Sequence, residues 1–236
     1  MSRIDFTPVA VLFDMDGLMI ESERALLQCW RESAEELALP LDDALWLSFV
    51  GLSDAVCHDR LRQRIGDERT VQALLDGLKI RYDARVEAGL PLKPGVRELL
   101  ALLESHGVPR AVATSTRRER ALQKLGKAEL LPHFNAVVTG SDVRHHKPAP
   151  DIYLLAAERL GVTPSRCVVL EDSVPGVRAA LAAGMTPIQV PDLVVPDEAV
   201  RALGHRIVDS LVHARALIEP SLSSAQAAAR VRPPSP

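Results

Sequence analysis

The sequence predicts an α/β fold in which a parallel sheet is covered by helices on both faces and a helical domain is inserted near the start. Short Val-rich runs alternate with helical patterns over most of the chain, whereas residues 18–91 contain no Val-rich run. Alternating strands and helices are typical of a parallel sheet buried on both faces. An interruption of this length exceeds a simple crossover, so we interpret it as a separate domain.

The strands are predicted from apolar runs of four or five residues that are flanked by turn residues. They are Val9–Phe13, Arg110–Thr114, Ala136–Gly140, Cys167–Leu170 and Thr186–Val190, with a weaker strand near Ile207. Helical patterns lie between the later strands, and several are followed by Gly, as helix C-termini often are. These helices are Gly95–His106, Arg117–Leu125, Pro150–Leu160 and Val174–Ala183, with Gly107, Gly126, Gly161 and Gly184 as their expected terminators.

Residues 18–91 are predicted to form a helical cap domain, with residues 1–17 and 92–220 forming the α/β core. The cap helices are expected at Glu21–Leu39, Asp42–Val50, Ser53–Ile65 and Arg69–Ala88. Residues 221–236 are small, polar and Pro-terminated, and we expect them to be disordered.

Composition limits the classes of function. The net charge of -3 gives no basic surface for nucleic acid. The three cysteines are far apart and form no CxxC motif, which favours reduced intracellular thiols. The N-terminus does not resemble a signal peptide, and no apolar run approaches the ~20 residues of a membrane helix. We therefore expect a cytoplasmic protein, a monomer by default, without nucleic-acid or membrane partners.

Two carboxylates, Asp14 and Asp16, follow the first predicted strand and precede Gly17. The carboxyl edge of an open α/β sheet is where ligands bind. Carboxylates this close repel one another, and Mg²⁺ is a suitable cation to offset the repulsion. A capped Asp-Gly turn explains the same residues equally well when they are considered alone.

Three other predicted loops at this edge also carry polar residues. Thr114 and Ser115 end the second strand and could bind phosphate or cap a helix. Lys147 lies in a Pro-rich loop, and Glu171 and Asp172 end the fourth strand. Each has an ordinary structural explanation alone, but their joint occurrence indicates a site for phosphate and metal.

This order of motifs resembles the haloacid dehalogenase superfamily of phosphotransferases. The matching segments are "DMDGLMIESE", Thr114 with Ser115, Lys147 in "KPAPD", and "EDS" at Glu171–Ser173. The helical insert resembles the cap of the subfamily that includes phosphoglycolate phosphatases and β-phosphoglucomutases. The resemblance implies a Rossmann-like, doubly wound core.

The resemblance also implies roles for the matching residues. Asp14 would attack phosphorus and form an aspartyl phosphate, and Asp16 would act as general acid and then general base. Lys147 would neutralise charge on the nucleophile and the phosphate. Mg²⁺ would be held by Asp14, the backbone carbonyl of Asp16, and Asp172, with Glu171 acting indirectly; Thr114 and Ser115 would bind the phosphoryl oxygens.

Substrate specificity is expected to come from the cap, in particular from Glu23 and Arg24 and from the loop residues Leu52 and Ser53. The cap is expected to move about hinges at Met19–Ser22 and Leu90–Pro94, and Trp30 and Trp46 are expected to pack inside it.

The favoured function is a Mg²⁺-dependent phosphatase that acts on a small phosphomonoester such as a sugar phosphate. Family mutases carry a His early in the first cap helix and an Arg after the Gly-x-Ser of the cap loop. Here "ERAL" and "GLSD" lack both residues, although a phosphosugar mutase remains an alternative. Asp16 and Asp172 argue against dehalogenation. A non-catalytic module that binds phosphorylated ligands is the alternative of another class, and the intact set of site residues argues against it.

Overall fold

The computed structural model describes residues 4–49 and 54–230, and its centre is a parallel sheet of six strands. The strands are β1 Ala10–Phe13, β2 Arg110–Thr114, β3 Ala136–Thr139, β4 Cys167–Glu171, β5 Thr186–Gln189 and β6 Arg206–Ile207. Their order is β3-β2-β1-β4-β5-β6, with β1 in register with both β2 and β4. The sheet reverses its direction of growth beside β1, which confirms the predicted doubly wound α/β fold and marks the crevice where such sheets bind ligands.

Four helices between β1 and β2 form the cap. They are α1 Ser22–Glu36, α2 Asp43–Leu47, α3 Asp54–Ile65 and α4 Glu68–Ala88. They enclose an apolar cluster of their own, in which Trp30 and Trp46 stack with ring centroids 4.2 Å apart. This packing confirms the structural role expected for the two tryptophans.

Six further helices belong to the core, together with two short 3₁₀ turns. The helices are α5 Val96–Ser105, α6 Arg118–Lys127, α7 Asp151–Leu160, α8 Val174–Ala182, α9 Glu198–Arg201 and α10 Leu211–Arg230. The 3₁₀ turns are Leu131–His133 and Pro164–Arg166. Within the described ranges, no helix has the length and apolar character needed to cross a membrane.

Alternate residues of β1 enter two apolar clusters, one on each face of the sheet. Val11 and Phe13 pack with residues of α5 and α10, whereas Ala10 and Leu12 pack with residues of α7 and α8. Successive side chains of a strand point to opposite faces, so a strand covered on both sides is apolar throughout. This explains why β1 ends so sharply at its first carboxylate.

The C-terminal segment differs from the sequence-based expectation. Helix α10 was not predicted, and it continues to Arg230, through much of the segment expected to be disordered. Ser221 and Leu222 are buried, so the core extends beyond the predicted boundary at residue 220. The helix also includes Pro220, a residue that normally disfavours a helix interior. Residues 231–236 lie outside the described residues.

Smaller differences concern the ends of elements. Gly126 lies inside α6 and does not terminate it, whereas Gly107, Gly161 and Gly184 follow their helices with positive φ, as expected. Strand β4 includes Glu171, which the sequence placed just after the strand.

Candidate active site

The strand ends that carry polar residues meet at one edge of the sheet. Because β1 lies between β2 and β4, Asp14 is flanked by the residues that follow Val112 and Leu170 in the neighbouring strands. The backbone N–H of Asp14 donates to the carbonyl of Leu170 at 3.0 Å. Parallel register therefore brings together residues that are up to 158 positions apart, from Asp14 to Asp172.

Lys147 connects three of these elements. Its Nζ donates to Asp14 Oδ1 at 2.5 Å, to Glu171 Oε1 at 2.5 Å and to the carbonyl of Ala113 at 3.0 Å. The side chain is 6% exposed, and burial of this lysine is compensated by two carboxylates. Lys147 therefore contacts Asp14 directly, and its role in catalysis stays a prediction.

Glu171 is fully buried and its carboxylate is used entirely by protein groups. Besides Lys147, Tyr153 OH donates to Oε1 at 2.7 Å, and the N–H and hydroxyl of Ser173 each donate to Oε2 at 2.9 Å. Burial would raise the pKa of Glu171, but Lys147 and these hydrogen bonds lower it below its usual value. Glu171 thus anchors Lys147, and Tyr153 is a member of the site that the sequence did not reveal.

The protein offsets the charge of Asp14 only in part, through Lys147, and gives the Asp172 carboxylate no hydrogen-bond donor among the described residues. Burial, assisted by Glu171 and Asp16, raises the pKa of Asp14 to about 7 despite the opposing effect of Lys147. Burial and the charges of Glu171, Asp14 and Glu23 raise the pKa of Asp172 well above its usual value. Among residues 4–49 and 54–230, none donates a hydrogen bond to the Asp172 carboxylate. The site has an excess of negative charge that a cation would offset.

The residues present fit Mg²⁺. A side chain on Gly17 would overlap Asp172 Oδ2, and Gly17 has a φ of +77°, so a glycine lets the backbone lie against this carboxylate. In the described part of the chain no three His, Cys, Asp or Glu side chains form a metal cluster. Mg²⁺ does not need one, because it is commonly bound by one or two carboxylates, waters and substrate phosphate.

Asp16 is held by two residues that the sequence analysis missed. Lys124 Nζ lies 2.6 Å from Oδ1, and Thr116 Oγ1 donates to Oδ2 at 2.6 Å. Burial would raise the pKa of Asp16, but the charge of Lys124 and these hydrogen bonds lower it. A signal existed in the sequence, since Lys124 lies between Ala121 and Leu125 on the buried face of α6, where an unpaired lysine is rare.

The predicted phosphate-binding residues occupy the turn between β2 and α6. Thr114 is 1% exposed and its Oγ1 accepts a hydrogen bond from the N–H of Thr116 at 3.2 Å, whereas Ser115 is exposed. Gly140 packs against the carbonyl of Ser115, where any side chain would overlap it. The turn therefore packs against Gly140 and keeps Ser115 exposed, and phosphate binding by this turn before a helix stays a prediction.

The cap residues predicted to set specificity have different surroundings. Glu23 lies near Gly17, and burial, with the charge of Asp16, raises its pKa to about 7. Arg24 is 57% exposed and pairs with Asp192 at 3.1 Å and Glu21 at 3.4 Å, so ion pairs near the cap linker already occupy its guanidinium. Leu52 and Ser53 lie outside the described residues.

The histidines before Lys147 show no contact with the carboxylates of the site. His145 Nδ1 lies 2.9 Å from Asp151 Oδ1 at the start of α7, and its side chain is 65% exposed. His146 is exposed as well.

Comparison with known proteins identifies the family of this chain. The haloacid dehalogenase-like hydrolase family matches residues 9–184. A phosphorylated carbohydrates phosphatase of Thermotoga maritima is 34% identical over 179 residues, covering 76% of this chain and 83% of that protein.

Two solved structures extend the comparison to the fold. A haloacid dehalogenase family hydrolase of Deinococcus radiodurans, with bound phosphate and sodium, is 33% identical with a TM-score of 0.78. It covers 92% of this chain and 97% of its own. A putative β-phosphoglucomutase of Thermotoga maritima is 29% identical with a TM-score of 0.73, covering 92% and 98%. The chain therefore belongs to the haloacid dehalogenase-like hydrolase family, in the subfamily with a helical cap inserted after the first strand.

Proposed function

We propose that this hydrolase releases phosphate from a small phosphorylated carbohydrate, with Mg²⁺, through an aspartyl phosphate on Asp14. The observation that carries the proposal is the pairing of Asp14 with Lys147 beside Asp172, a carboxylate without a donor among the described residues. The phosphatase name of the Thermotoga relative and the phosphate bound by the Deinococcus structure support the same substrate class.

In the first half of the reaction, a carboxylate oxygen of Asp14 bonds to phosphorus as the ester P–O bond breaks. Lys147 holds Oδ1 of Asp14, which leaves Oδ2 as the attacking atom. Asp16 gives its proton to the oxygen of the leaving alcohol. Mg²⁺, held by Asp14, the carbonyl of Asp16 and Asp172, would supply positive charge to the phosphoryl oxygens.

In the second half, water attacks the aspartyl phosphate and Asp16 takes the proton of that water. The bond between phosphorus and Asp14 breaks, and the Asp14 carboxylate is restored. The Lys124 contact lowers the pKa of Asp16, which favours the carboxylate form that this step requires. The amide groups of the turn after Thr114 would bind the phosphoryl oxygens throughout.

Glu23 supports a hydroxyl-bearing substrate. Its side chain is half-buried beside Gly17, and no described residue donates a hydrogen bond to its carboxylate. A sugar hydroxyl can donate a hydrogen bond to this carboxylate. We therefore place a polyol or sugar phosphate ahead of an apolar ester.

The test is release of inorganic phosphate from a panel of sugar and polyol phosphates, each with Mg²⁺ and with excess chelator. Chelator-sensitive release from one or a few esters supports the proposal. Release that is unaffected by chelator would contradict the magnesium requirement, and a folded protein that turns over no ester would favour a binding module.

A phosphosugar mutase is the second candidate, because the chain is similar to a putative β-phosphoglucomutase. The panel therefore includes β-glucose 1-phosphate, with glucose 6-phosphate and free phosphate measured together. Formation of the 6-phosphate without free phosphate would establish the mutase. We expect free phosphate, because the residues corresponding to the mutase His and Arg are absent from "ERAL" and "GLSD".

A further inference from the structure

Lys124 is a buried lysine that no part of the proposed reaction uses directly. It comes from the face of α6 that also buries Ala121 and Leu125, and its side chain is 6% exposed. Its Nζ lies 2.6 Å from Asp16 Oδ1. Because each group of a buried ion pair is costly alone, the position of each depends on the other.

The two oxygens of Asp16 have different partners. Oδ1 contacts the ammonium of Lys124, and Oδ2 accepts from the hydroxyl of Thr116 at 2.6 Å. An ammonium group can only donate, so it keeps Oδ1 as an acceptor whether or not the carboxyl group is protonated. A hydroxyl can donate, accept and rotate, so Oδ2 is able to carry a proton. The contacts thus separate an anchored oxygen from one available for proton transfer.

The cap covers the other side of Lys124. Tyr82 of α4 presents its ring to the lysine, with Nζ 5.2 Å from the ring centroid. The guanidinium of Arg120 lies 5.9 Å from the same centroid. Cations at this distance from a ring face are attracted to it. Lys124 therefore lies between a carboxylate of the core and an aromatic ring of the cap.

We propose that Lys124 is a positioning residue that orients Asp16 for proton transfer, and that Tyr82 of the cap holds Lys124 in this position. The inference rests on the proposed function, because it requires Asp16 to act as acid and base. In the first half-reaction the proton on Oδ2 moves to the leaving oxygen, and in the second a proton from water moves to Oδ2. Lys124 keeps its own protons throughout.

The choice of leaving group separates this role from simple structural support. An alkoxide needs the proton of Asp16 as it leaves, whereas p-nitrophenolate is stable without it. Single-turnover rates, with enzyme in excess over substrate, isolate this first half-reaction. A misplaced Asp16 slows the alkyl ester and largely spares p-nitrophenyl phosphate, whereas general damage to the site slows both.

The test compares Lys124→Met with Lys127→Met, on the best alkyl ester of the panel and on p-nitrophenyl phosphate. Lys127 is a matched control, since it lies on the same helix, is 39% exposed and pairs with Glu87 of the cap. For Lys124→Met we expect a fall of at least about 10-fold on the alkyl ester and less than about 3-fold on p-nitrophenyl phosphate. The KM values stay within about 2-fold, and Lys127→Met keeps both rates within about 2-fold.

Two further variants test the arrangement. Lys124→Arg retains a charged donor, and we expect it to recover much of the alkyl-ester rate. Tyr82→Leu removes the ring from the cap side, and we expect the same selective loss in a smaller amount, about 3-fold. If Lys124→Met does not fold by circular dichroism, these two variants decide the question, since both keep a partner for Asp16.

Asp16→Asn and Asp14→Asn separate failure of this inference from failure of the proposed function. Should Asp14→Asn retain turnover, or Asp16→Asn lose both substrates equally, the proposed function is wrong. If Asp16→Asn loses rate mainly on the alkyl ester but the Lys124 and Tyr82 variants do not, only the positioning role is overturned. Equal losses on both esters in Lys124→Met would likewise assign the lysine to structure alone.

Discussion

Individual carboxylates at the sheet edge differ in how far the protein neutralises their charge. Glu171 receives hydrogen bonds from Lys147, Tyr153 and Ser173, and its pKa is lowered even though it is fully buried. Asp172 lies next to it, receives none from the described residues, and has a raised pKa. Burial disfavours the charged form unless a partner compensates. The contrast between neighbours is the residue-scale reason to expect a cation at Asp172.

At Asp14 we expect the substitution Asp14→Asn to lower kcat by at least about 10³-fold. An amide is a much weaker nucleophile than a carboxylate, while its carbonyl oxygen can still accept a hydrogen bond from Lys147. Phosphate release from the preferred ester measures the effect. Asp151→Asn is the matched control, because that side chain pairs with the exposed His145. Wild-type turnover by Asp14→Asn would falsify the assignment of the nucleophile.

At the scale of elements, Asp142 connects β3 to two helices. It pairs with Arg118 of α6 at 2.5 Å and with Arg159 of α7 at 3.0 Å, and it accepts from the N–H and hydroxyl of Thr139. Burial would raise the pKa of Asp142, but its hydrogen bonds from Arg118, Thr139 and Arg159 lower it. The carboxylate therefore ties together elements that flank the phosphate-binding turn.

This arrangement predicts a pH-dependent contribution to stability. Because the folded pKa of Asp142 is below its unfolded value, near about 4, its stabilisation is present above that pH and is lost as the pH falls through the folded pKa. We expect Asp142→Asn to lower the free energy of unfolding by about 1–3 kcal/mol at pH 7. Urea titrations should show the difference from wild type narrowing below about pH 4. The control is Asp76→Asn, which replaces an exposed carboxylate. If the difference in unfolding free energy between Asp142→Asn and wild type does not change with pH, the prediction is wrong.

Helix α10 was not predicted from the sequence, although the spacing of its apolar residues indicates a helix. The small, polar composition of residues 221–236 suggested an end to the fold. The buried residues of this helix nevertheless repeat at helical spacing: Leu211, Ala214, Leu217, Ile218 and Leu222. Amphipathic spacing predicts a helix that packs on a core. A hydrogen bond from Thr7 Oγ1 to the carbonyl of Ser221 also ties the helix to the N-terminal segment.

We expect Leu222→Ala to lower the free energy of unfolding by about 2–4 kcal/mol, because it leaves a cavity where a side chain is 2% exposed. Val212→Ala, on the same helix at 52% exposure, should cost less than about 1 kcal/mol. Urea denaturation measures both. If the two variants lose the same stability, the end of α10 does not pack as described.

At the scale of the whole molecule, cap and core have separate apolar clusters and many polar contacts between them. Arg120 and Lys127 of α6 pair with Asp83 and Glu87 of α4. Partly exposed ion pairs of this kind contribute little free energy. We therefore expect the cap to move relative to the core without exposing a shared core, as a lidded active site requires.

The response of the whole molecule to metal is also predictable. In wild type we expect Mg²⁺ to raise the midpoint of thermal unfolding by a few degrees, because it binds only the folded state. Asp172→Asn should be at least as stable as wild type without metal, since it removes a half-buried carboxylate whose pKa is raised in the folded protein. The midpoint of thermal unfolding of Asp172→Asn should not rise when Mg²⁺ is added.

Differential scanning calorimetry of wild type and Asp172→Asn, with Mg²⁺ and with chelator, measures these unfolding midpoints. Asp151→Asn, away from the site, should respond to Mg²⁺ as wild type does. An undiminished response of Asp172→Asn would show that Asp172 does not hold the metal.

The sequence alone was sufficient for the strands, the position of the insert and the residues at the strand ends. Strands buried on both faces are nearly all apolar, so they stand out, and the first polar residue after each strand marks the sheet edge. Asp14, Thr114, Glu171 and Asp172 could be found in this way, whereas Lys147 lies in a loop well after β3 and was found from the order of the motifs.

Only the tertiary structure assigned partners to these residues. Lys124 reaches the site from α6, Thr116 from the turn before α6, and Tyr153 from α7. Which side chains reach the site depends on which face of each element meets the sheet edge. Arg24, which the sequence placed among the specificity residues of the cap, forms an ion pair with Asp192, and its effect on specificity stays a prediction. Local pattern determines elements because burial repeats with a fixed period, whereas contacts between distant side chains depend on how those elements pack.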